Sequence, residues 1–425
     1  MIKQIQPLSQ PVNARVQVPG SKSITNRALI CAALASGDSV IRNASDSDDS
    51  AMMANGLNQL GILVRKKGED LIVEGRGGRV CAPKFPIPVG NAGTTLRFLA
   101  GMAALADGAV TFESHSRMVE RPMTGLLDAL YCLGTASRIQ EFAGRYVVQG
   151  GTFDGGTTSV ESDLTSQYVS SLLMVSPYAK NNVRLQLDTE PVSNTYIDMT
   201  LSVMKEFGVE VENADGRSFS VKSGRRFLPI EFSIEGDWSS AAYFSAAGAI
   251  ARGKVTIEGV SNDSTQADSR IIEILQCMGW ESEAEEGGGM VETASLHGID
   301  IDLRSTPDLV PTVAVAALFA EGTTRIRNVA YVRGKESDRL EAIATELRKL
   351  GARVILHDDG LGIEPAHLTG TSLQTYNDHR LAMSFALIGL RVPGIAIENP
   401  ECVSKSFPGF WKEFQKLYEG RQKTA

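Results

Sequence analysis

The sequence predicts an α/β fold of two inside-out, barrel-like domains. Each domain holds three strand-helix-strand-helix-strand units, with helices buried and sheets outside. Three observations predict this. A helix-ending phrase recurs at near-constant spacing along the 425 residues. A second kind of helix, polar at its head and apolar in its body, accompanies each phrase. Strand-like runs follow most of these helices after a glycine-containing turn.

The phrase is an apolar residue, two others, an apolar residue, then glycine. It reads Leu57-Asn-Gln-Leu60-Gly61, Leu130-Tyr-Cys-Leu133-Gly134, Met204-Lys-Glu-Phe207-Gly208, Leu275-Gln-Cys-Met278-Gly279 and Leu347-Arg-Lys-Leu350-Gly351. The glycines lie 71 to 74 residues apart. A sixth copy, Phe414-Gln-Lys-Leu417, has Tyr418 in the glycine place. Glycine just past a helix is the usual left-handed cap, so each phrase marks a helix end.

The other helices start near Ser21, Asn91, Thr165, Asp237, Thr306 and Asn377. Their bodies, such as Ala28-Leu-Ile and Leu172-Leu-Met, are apolar or small on nearly every side. A helix without a polar stripe is one surrounded by protein. Strands are expected at Ser39-Val-Ile-Arg, Ala109-Val-Thr-Phe, Val183-Arg-Leu-Gln-Leu, Lys254-Val-Thr-Ile, Thr324-Arg-Ile-Arg and Gly394-Ile-Ala-Ile, with others near Leu71 and Tyr146. Alternation, as in Val255-Thr-Ile-Glu, suits strands exposed on one face. The acidic, glycine-rich stretch Glu281–Gly289 reads as an exposed loop.

The totals narrow the function. A formal net charge of −8 argues against a general nucleic-acid binder, while leaving room for a small anion in a local basic pocket. No apolar run is long enough to read as a membrane span, and no signal peptide is evident at the start. The five cysteines are scattered, which suits reduced thiols in a cytoplasmic protein. No spacing resembles a metal site, and no cofactor is expected.

The polar helix heads carry the chemistry. Pro19-Gly-Ser-Lys22-Ser23-Ile-Thr-Asn-Arg27 places two cations where a helix begins. Free backbone N–H groups and the helix dipole suit that end to a phosphate or carboxylate. A single such segment reads better as a capped helix with solvated cations. Repetition changes the balance. Arg97, Arg117 and Arg121 belong to the second unit, with a Gly90-Asn-Ala-Gly93-Thr94 turn; Thr165, Ser166, Gln167 and Ser193 to the third. Asp308 and Lys335-Glu336-Ser337-Asp338-Arg339 belong to the fifth, and His379, Arg380 and Lys405 to the sixth. The first motif lacks the glycine spacing of a P-loop, which sets aside an ATP-dependent kinase.

Taken in order, Pro19-Gly-Ser-Lys-Ser-Ile-Thr-Asn-Arg-Ala-Leu, Gly90-Asn-Ala-Gly-Thr, Glu120-Arg-Pro-Met, Lys335-Glu-Ser-Asp-Arg-Leu, Tyr376-Asn-Asp-His-Arg and Lys405-Ser-Phe-Pro resemble the signature segments of the 5-enolpyruvylshikimate-3-phosphate synthase family. The resemblance covers essentially the whole chain. It implies enolpyruvyl transfer from phosphoenolpyruvate to the 5-hydroxyl of shikimate-3-phosphate, through a tetrahedral intermediate, with phosphate released. It also implies two domains closing over the substrates, 21–235 and 1–20 plus 236–425, joined by a two-strand hinge, and a monomer without nucleic-acid or membrane partners.

By the same resemblance, Lys22, Ser23, Arg27, Thr165, Ser166, Gln167, Ser193, Tyr196, Asp308 and Lys335 contact shikimate-3-phosphate. Lys22, Gly93, Arg121, Gln167, Arg339, Arg380 and Lys405 contact phosphoenolpyruvate. Asp308 accepts the hydroxyl proton, and Glu336 or Lys22 protonates the enol carbon. Phe98 stands where many members have proline, and Tyr331 where some have an asparagine that contacts shikimate. Two other readings compete. The sister transferase acting on UDP-N-acetylglucosamine would show Lys-Asn in the first motif and a reactive cysteine in the second unit, where this chain has Ser114-His-Ser-Arg117. A non-catalytic anion binder would have no use for Asp308 and Glu336.

Overall fold

The computed structural model describes residues 1–135, 144–281 and 295–419. The stretch expected as an acidic loop lies, beyond Glu281, outside the described residues. The chain forms two compact units, Ser21–Ile234 and Met1–Gly20 with Glu235–Ala425.

In the unit Ser21–Ile234, three helices form the interior: Lys22–Leu34, Gly93–Ala103 and Gln167–Val175. Their bodies are buried throughout. The residues that are not are Lys22, Ser23, Thr94 and Gln167, all at helix heads. Apolar bodies thus anchor the helices while polar heads stay accessible. A second helix in each repeat, Asp48–Gln59, Thr124–Cys132 and Thr195–Glu206, buries one face.

Sheets lie outside. Ser36–Arg42 pairs antiparallel with Asp70–Arg76 and parallel with Glu231–Ser233, so the last strand of the unit completes the first sheet. Ala109–Ser114 lies between Ile87–Gly90 and Arg145–Gln149. Val183–Leu187 lies between Gly156–Val160 and Ser218–Val221. Burial alternates along Val183–Leu187, with Val183, Leu185 and Leu187 inward. That is the pattern of a sheet wet on one face.

The other unit repeats the plan. Every residue of the helices Trp238–Ile250, Val310–Ala317 and His379–Ile388 is buried. Alanine and serine dominate the first of these, which lets neighbouring elements approach closely. Ile271–Cys277, Arg339–Lys349 and Phe410–Glu419 are the second helices. The N-terminal segment fills two sheets here. Asn13–Gln17 pairs parallel with Lys254–Glu258, and Ile2–Gln4 pairs antiparallel with Ala396–Glu398. Thr324–Arg327 pairs with Asp300–Asp302 and Gly360–Glu364.

The five repeat glycines are all left-handed, with φ of 83° at Gly61, 95° at Gly134, 83° at Gly208, 93° at Gly279 and 90° at Gly351. Each follows a helix that ends two residues earlier, as a C-cap glycine should. Two starts differ from expectation. The helix expected near Thr306 opens as a 3-10 turn, Pro307–Leu309, before Val310–Ala317. The strand after Gly208 is short and late, at Glu212–Asn213.

Candidate functional site

In the unit Ser21–Ile234, Ser21 caps the first helix by accepting from the Ile24 amide, and Lys22 is the first helical residue. Lys22 Nζ lies 3.1 Å from Asp49 Oδ2. Asp49 was not singled out from the sequence, because nothing separates it from its acidic neighbours Asp46 and Asp48. One turn further, Arg27 is buried. Its Nε donates to Thr200 Oγ1 at 2.7 Å, Nη1 to the Ser23 carbonyl at 2.9 Å, and Nη2 to the Tyr196 carbonyl at 3.0 Å. The guanidinium also faces the rings of Phe98 at 5.3 Å and Tyr196 at 5.9 Å. Phe98 thus serves as a wall for Arg27.

Arg97 is buried as well. It donates to Gln167 Oε1 at 2.6 Å and to the Pro122 carbonyl at 2.9 Å. Gln167 passes the constraint on, donating from Nε2 to Thr94 Oγ1 at 3.0 Å, while its own amide donates to Thr165 Oγ1 at 3.2 Å. Burial pulls Arg27 down to about 10, only partly offset by Tyr196. Burial and then the nearby Arg121 charge pull Arg97 down to about 10. Among the described residues, neither guanidinium has a carboxylate partner. A buried cation with only neutral acceptors is costly and is relieved by an incoming anion.

Gly93 begins its helix beside Arg121. A Cβ built on Gly93 would lie 2.9 Å from Cζ, Nη1 and Nη2 of that arginine. The absent side chain is what gives the guanidinium its place. No side chain caps this helix, so its first N–H groups remain for a ligand. Ser166 precedes the helix Gln167–Val175. Ser193 is held left-handed at φ 54°, and its carbonyl accepts from the Tyr196 amide at 3.0 Å.

The unit containing residues 235–425 gathers Asp308, Glu336, Arg339 and Arg380 around one further acid, Asp378. Arg339 Nη1 donates to Asp308 Oδ1 at 2.8 Å, Nη2 to Glu336 Oε2 at 2.8 Å, and Nε to Asp378 Oδ2 at 2.9 Å. Arg380 Nη2 donates to Asp308 Oδ2 at 2.6 Å. Asp378 also caps the helix that carries Arg380, accepting its amide at 2.9 Å. Burial opposes the Asp308 charge, but Arg380, Arg339 and Lys335 outweigh it and hold the carboxyl well below the usual range. Burial likewise opposes the Arg339 charge, yet Asp378, Glu336 and Asp308 hold it firmly protonated.

This cluster differs from a row of bare cations: two guanidiniums are bonded by three carboxylates. Asp378 carried a sequence signal, as a cap residue before an apolar helix, but its bond to Arg339 spans 39 residues and could not be read. Lys335 faces the Tyr331 ring at 5.9 Å, and the Tyr331 hydroxyl is spent on the Arg304 carbonyl. Lys405 ends the turn Pro400–Lys405 and is half-buried.

A family model described as EPSP synthase (3-phosphoshikimate 1-carboxyvinyltransferase) matches residues 7–414. The chain belongs to the EPSP synthase family. EPSP synthase transfers the enolpyruvyl group of phosphoenolpyruvate to shikimate-3-phosphate, a transferase step of the shikimate pathway leading to aromatic compounds. The 3-phosphoshikimate 1-carboxyvinyltransferase of Nostoc punctiforme is 40% identical over 421 residues, covering 98% of this chain and 99% of the relative. That of Shewanella halifaxensis is 42% identical over 414 residues, covering 96% and 97%. The solved EPSP synthase of Acinetobacter baumannii superposes with a TM-score of 0.81 at 26% identity, covering 98% of each chain. The enolpyruvyl transferase NikO of Streptomyces tendae, with a TM-score of 0.80 at 19% identity over 98% of this chain and 97% of its own, shows the same fold. The α/β class expected from the repeats is thus that of EPSP synthase. Among the described residues, no helix is long and apolar enough to cross a membrane.

Proposed function

We propose that this chain carries out its family's reaction by addition and elimination, with Asp308 as the base. Asp308 removes the proton of the 5-hydroxyl, and the oxygen attacks C2 of phosphoenolpyruvate. Glu336, which takes up a proton from solvent once Arg339 turns to the substrate, delivers it to the methylene carbon. Glu336 is preferred to Lys22 for this step because it shares Arg339 with Asp308, whereas Lys22 is paired with Asp49. The tetrahedral adduct then loses phosphate, which takes the proton held by Asp308, and the methyl carbon returns a proton to Glu336 to restore the double bond.

The observation that carries this reading is Asp308 bonded to both Arg339 and Arg380. A carboxylate held by two guanidiniums is a poor base. The carboxylate of phosphoenolpyruvate is the natural competitor for those guanidiniums, since bidentate arginine matches it. Once they turn to the substrate, Asp308 loses its counter-charges and gains basicity. Base strength then appears only when the donor is bound.

Lys22, Ser23, Arg27, Thr165, Ser166, Gln167, Ser193, Tyr196 and Lys335 are assigned to shikimate-3-phosphate. Gly93, Arg121, Gln167, Arg339, Arg380 and Lys405, with Lys22, are assigned to phosphoenolpyruvate. The uncompensated Arg27 and Arg97 support an anionic ligand beside them. The functional domains are 21–235 and 1–20 plus 236–425, and the chain acts as a cytoplasmic monomer without nucleic-acid partners. The test is phosphate release from phosphoenolpyruvate: it should require shikimate-3-phosphate and need neither ATP nor Mg²⁺. Release without the acceptor, or none with it, overturns the reading.

A further inference from the structure

Asp268 lies in the 3-10 turn Ala267–Arg270, with 2% of its surface exposed. Its Oδ2 accepts the Ser239 hydroxyl, and its Oδ1 has no hydrogen-bond partner among the described residues. A buried carboxylate left half-satisfied is expensive, so its presence asks for a use.

Ser239 supplies one. A serine hydroxyl has a single proton and two lone pairs. With the proton committed to Asp268, only lone pairs face Arg380, whose Nη2 approaches Ser239 Oγ at 3.4 Å. The same Nη2 is the one that holds Asp308 at 2.6 Å. The second arm of the guanidinium meets the Tyr243 hydroxyl at 3.3 Å.

The surroundings are rigid. Gln266, just before the turn, accepts from the Trp238 amide at 3.2 Å and donates to the Gly236 carbonyl at 2.8 Å. Asp237 caps the helix bearing Ser239, accepting the Ser239 amide at 3.3 Å and the Ser240 hydroxyl at 2.8 Å. Arg270, in the same turn, donates to Ser305 Oγ at 3.0 Å, three residues before Asp308. The charged groups facing Asp268 are Asp308, Arg380 and Asp237. Burial first, then Asp308, pushes the Asp268 carboxyl up to about 7, against the pull of Arg380.

We propose that Asp268 is a positioning residue that, acting through Ser239, holds the Arg380 guanidinium in place for the carboxylate of the enolpyruvyl donor. The inference rests on the assignment of Arg380 to phosphoenolpyruvate made above. Ionised Asp268 draws the Ser239 proton to itself. Protonated Asp268 becomes a donor, and the freed hydroxyl proton can turn against Arg380.

The test uses Asp268→Ala, Ser239→Ala, the double variant, and Asp268→Asn, which keeps an acceptor oxygen at nearly the same volume. Loss of one bond in this chain should raise KM for phosphoenolpyruvate about tenfold in either single alanine variant. The double variant should be no worse than the worse single, because both act through one guanidinium. KM for shikimate-3-phosphate should stay within about twofold, and Asp268→Asn should recover most of the loss. In the wild type, KM for phosphoenolpyruvate should rise as pH falls through about 7. That rise, relative to the wild type, should be lost in Asp268→Asn. An unchanged KM in folded Asp268→Ala, additive effects, or an equal rise for both substrates overturns the proposal. If Asp268→Ala does not fold, Ser239→Ala and Asp268→Asn decide alone. A wild type inactive on the two substrates would defeat the functional reading instead; an active wild type with indifferent variants would defeat only this inference.

Discussion

Arg339 holds Asp308 at 2.8 Å while sharing its other nitrogens with Glu336 and Asp378. The arginine is therefore the joint of the C-terminal cluster, and the acid proposed as base is bound to it before any substrate arrives. Removing the acid tests this at two levels. Asp308→Asn should lower turnover by about 10²- to 10⁴-fold, as for loss of a general base, with a smaller change in KM for shikimate-3-phosphate. Stability should respond to pH in a defined sense. The folded carboxyl lies below its unfolded value of about 3.9, so its contribution is complete above that pH and is lost as pH falls through the folded value. Urea midpoints of wild type and Asp308→Asn should differ by a constant amount from about pH 5 to 8, and the gap should begin to narrow below about 4 and keep narrowing as pH falls toward the folded value. A gap that instead opened toward acid would contradict the ion pairing.

Gly93→Ala should act on binding more than on folding. The added Cβ would sit 2.9 Å from the Arg121 guanidinium, and the end of a flexible side chain moves more readily than backbone. Gly93 does not need a left-handed backbone, since it is absent from the positive-φ glycines. The arginine should swing aside, and KM for phosphoenolpyruvate should rise by about tenfold or more, the worth of one charge-assisted bond. Thermal melting should change little. A large fall in melting temperature with unchanged KM would mean that the glycine serves packing only.

Much of this architecture was legible because it is local and repeated. Gly61, Gly134, Gly208, Gly279 and Gly351 each needed only their own helix end to be recognised. Helix heads at Ser21 and Asp237 were legible for the same reason, a cap residue directly before an apolar body, while the start expected near Asn377 falls one residue before the actual cap, Asp378. The Pro307–Leu309 turn was missed because Pro307 suits the first position of an α-helix as well as that of a tighter turn, and only Pro311 hints that the α-helix starts later, at Val310. The site was legible as residue types but not as bonds. Arg380 meets Asp308 across 72 residues, and Arg97 meets Gln167 across 70. No periodicity reports which acid a given arginine will find. Counting cations at helix heads therefore overstated the positive charge around Arg339, since Asp378 is not among the residues the sequence singles out.

Arg27 offers a test of the opposite situation, a buried cation among neutral acceptors. Lysine in its place keeps the charge but cannot reach Thr200, the Ser23 carbonyl and the Tyr196 carbonyl together. Arg27→Lys should cost roughly 1–3 kcal/mol of stability, from acceptors left without donors, and raise KM for shikimate-3-phosphate at least about tenfold. Phe98→Leu keeps an apolar wall and removes the ring, so its effect should be smaller, about 0.5–2 kcal/mol in the same binding step. Denaturant titration and steady-state kinetics on both variants separate the two contributions. Equal losses would show that Phe98 acts through packing rather than through the guanidinium.

The loop that delivers Asp378 and Arg380 is strained, and its anchor can be cut. Tyr376 and Asn377 are both left-handed, at φ 52° and 56°, directly before the cap residue. Each such residue costs on the order of 1–2 kcal/mol and persists only where its surroundings insist on it. The insistence comes from Glu346, a fully buried carboxylate that accepts the Tyr376 hydroxyl at 2.7 Å and the Gln374 amide at 2.9 Å. Tyr376→Phe removes the hydroxyl and should cost about 1–2 kcal/mol in urea unfolding. If the strain serves the site, kcat/KM for phosphoenolpyruvate should fall as well, because Arg380 loses its fixed starting point. Asn377→Gly relieves the strain while leaving the Glu346 anchor in place, and it also removes the exposed bond that Asn377 Oδ1 accepts from Asn399 at 3.0 Å. Glycine adopts the left-handed conformation freely, so stability should hold or rise by a few tenths of a kcal/mol. Activity should nonetheless drop in that variant, since a loop free to leave its strained form presents Arg380 less often. Full activity in Asn377→Gly would show that the strain is incidental and that Glu346 alone sets the position of Arg380.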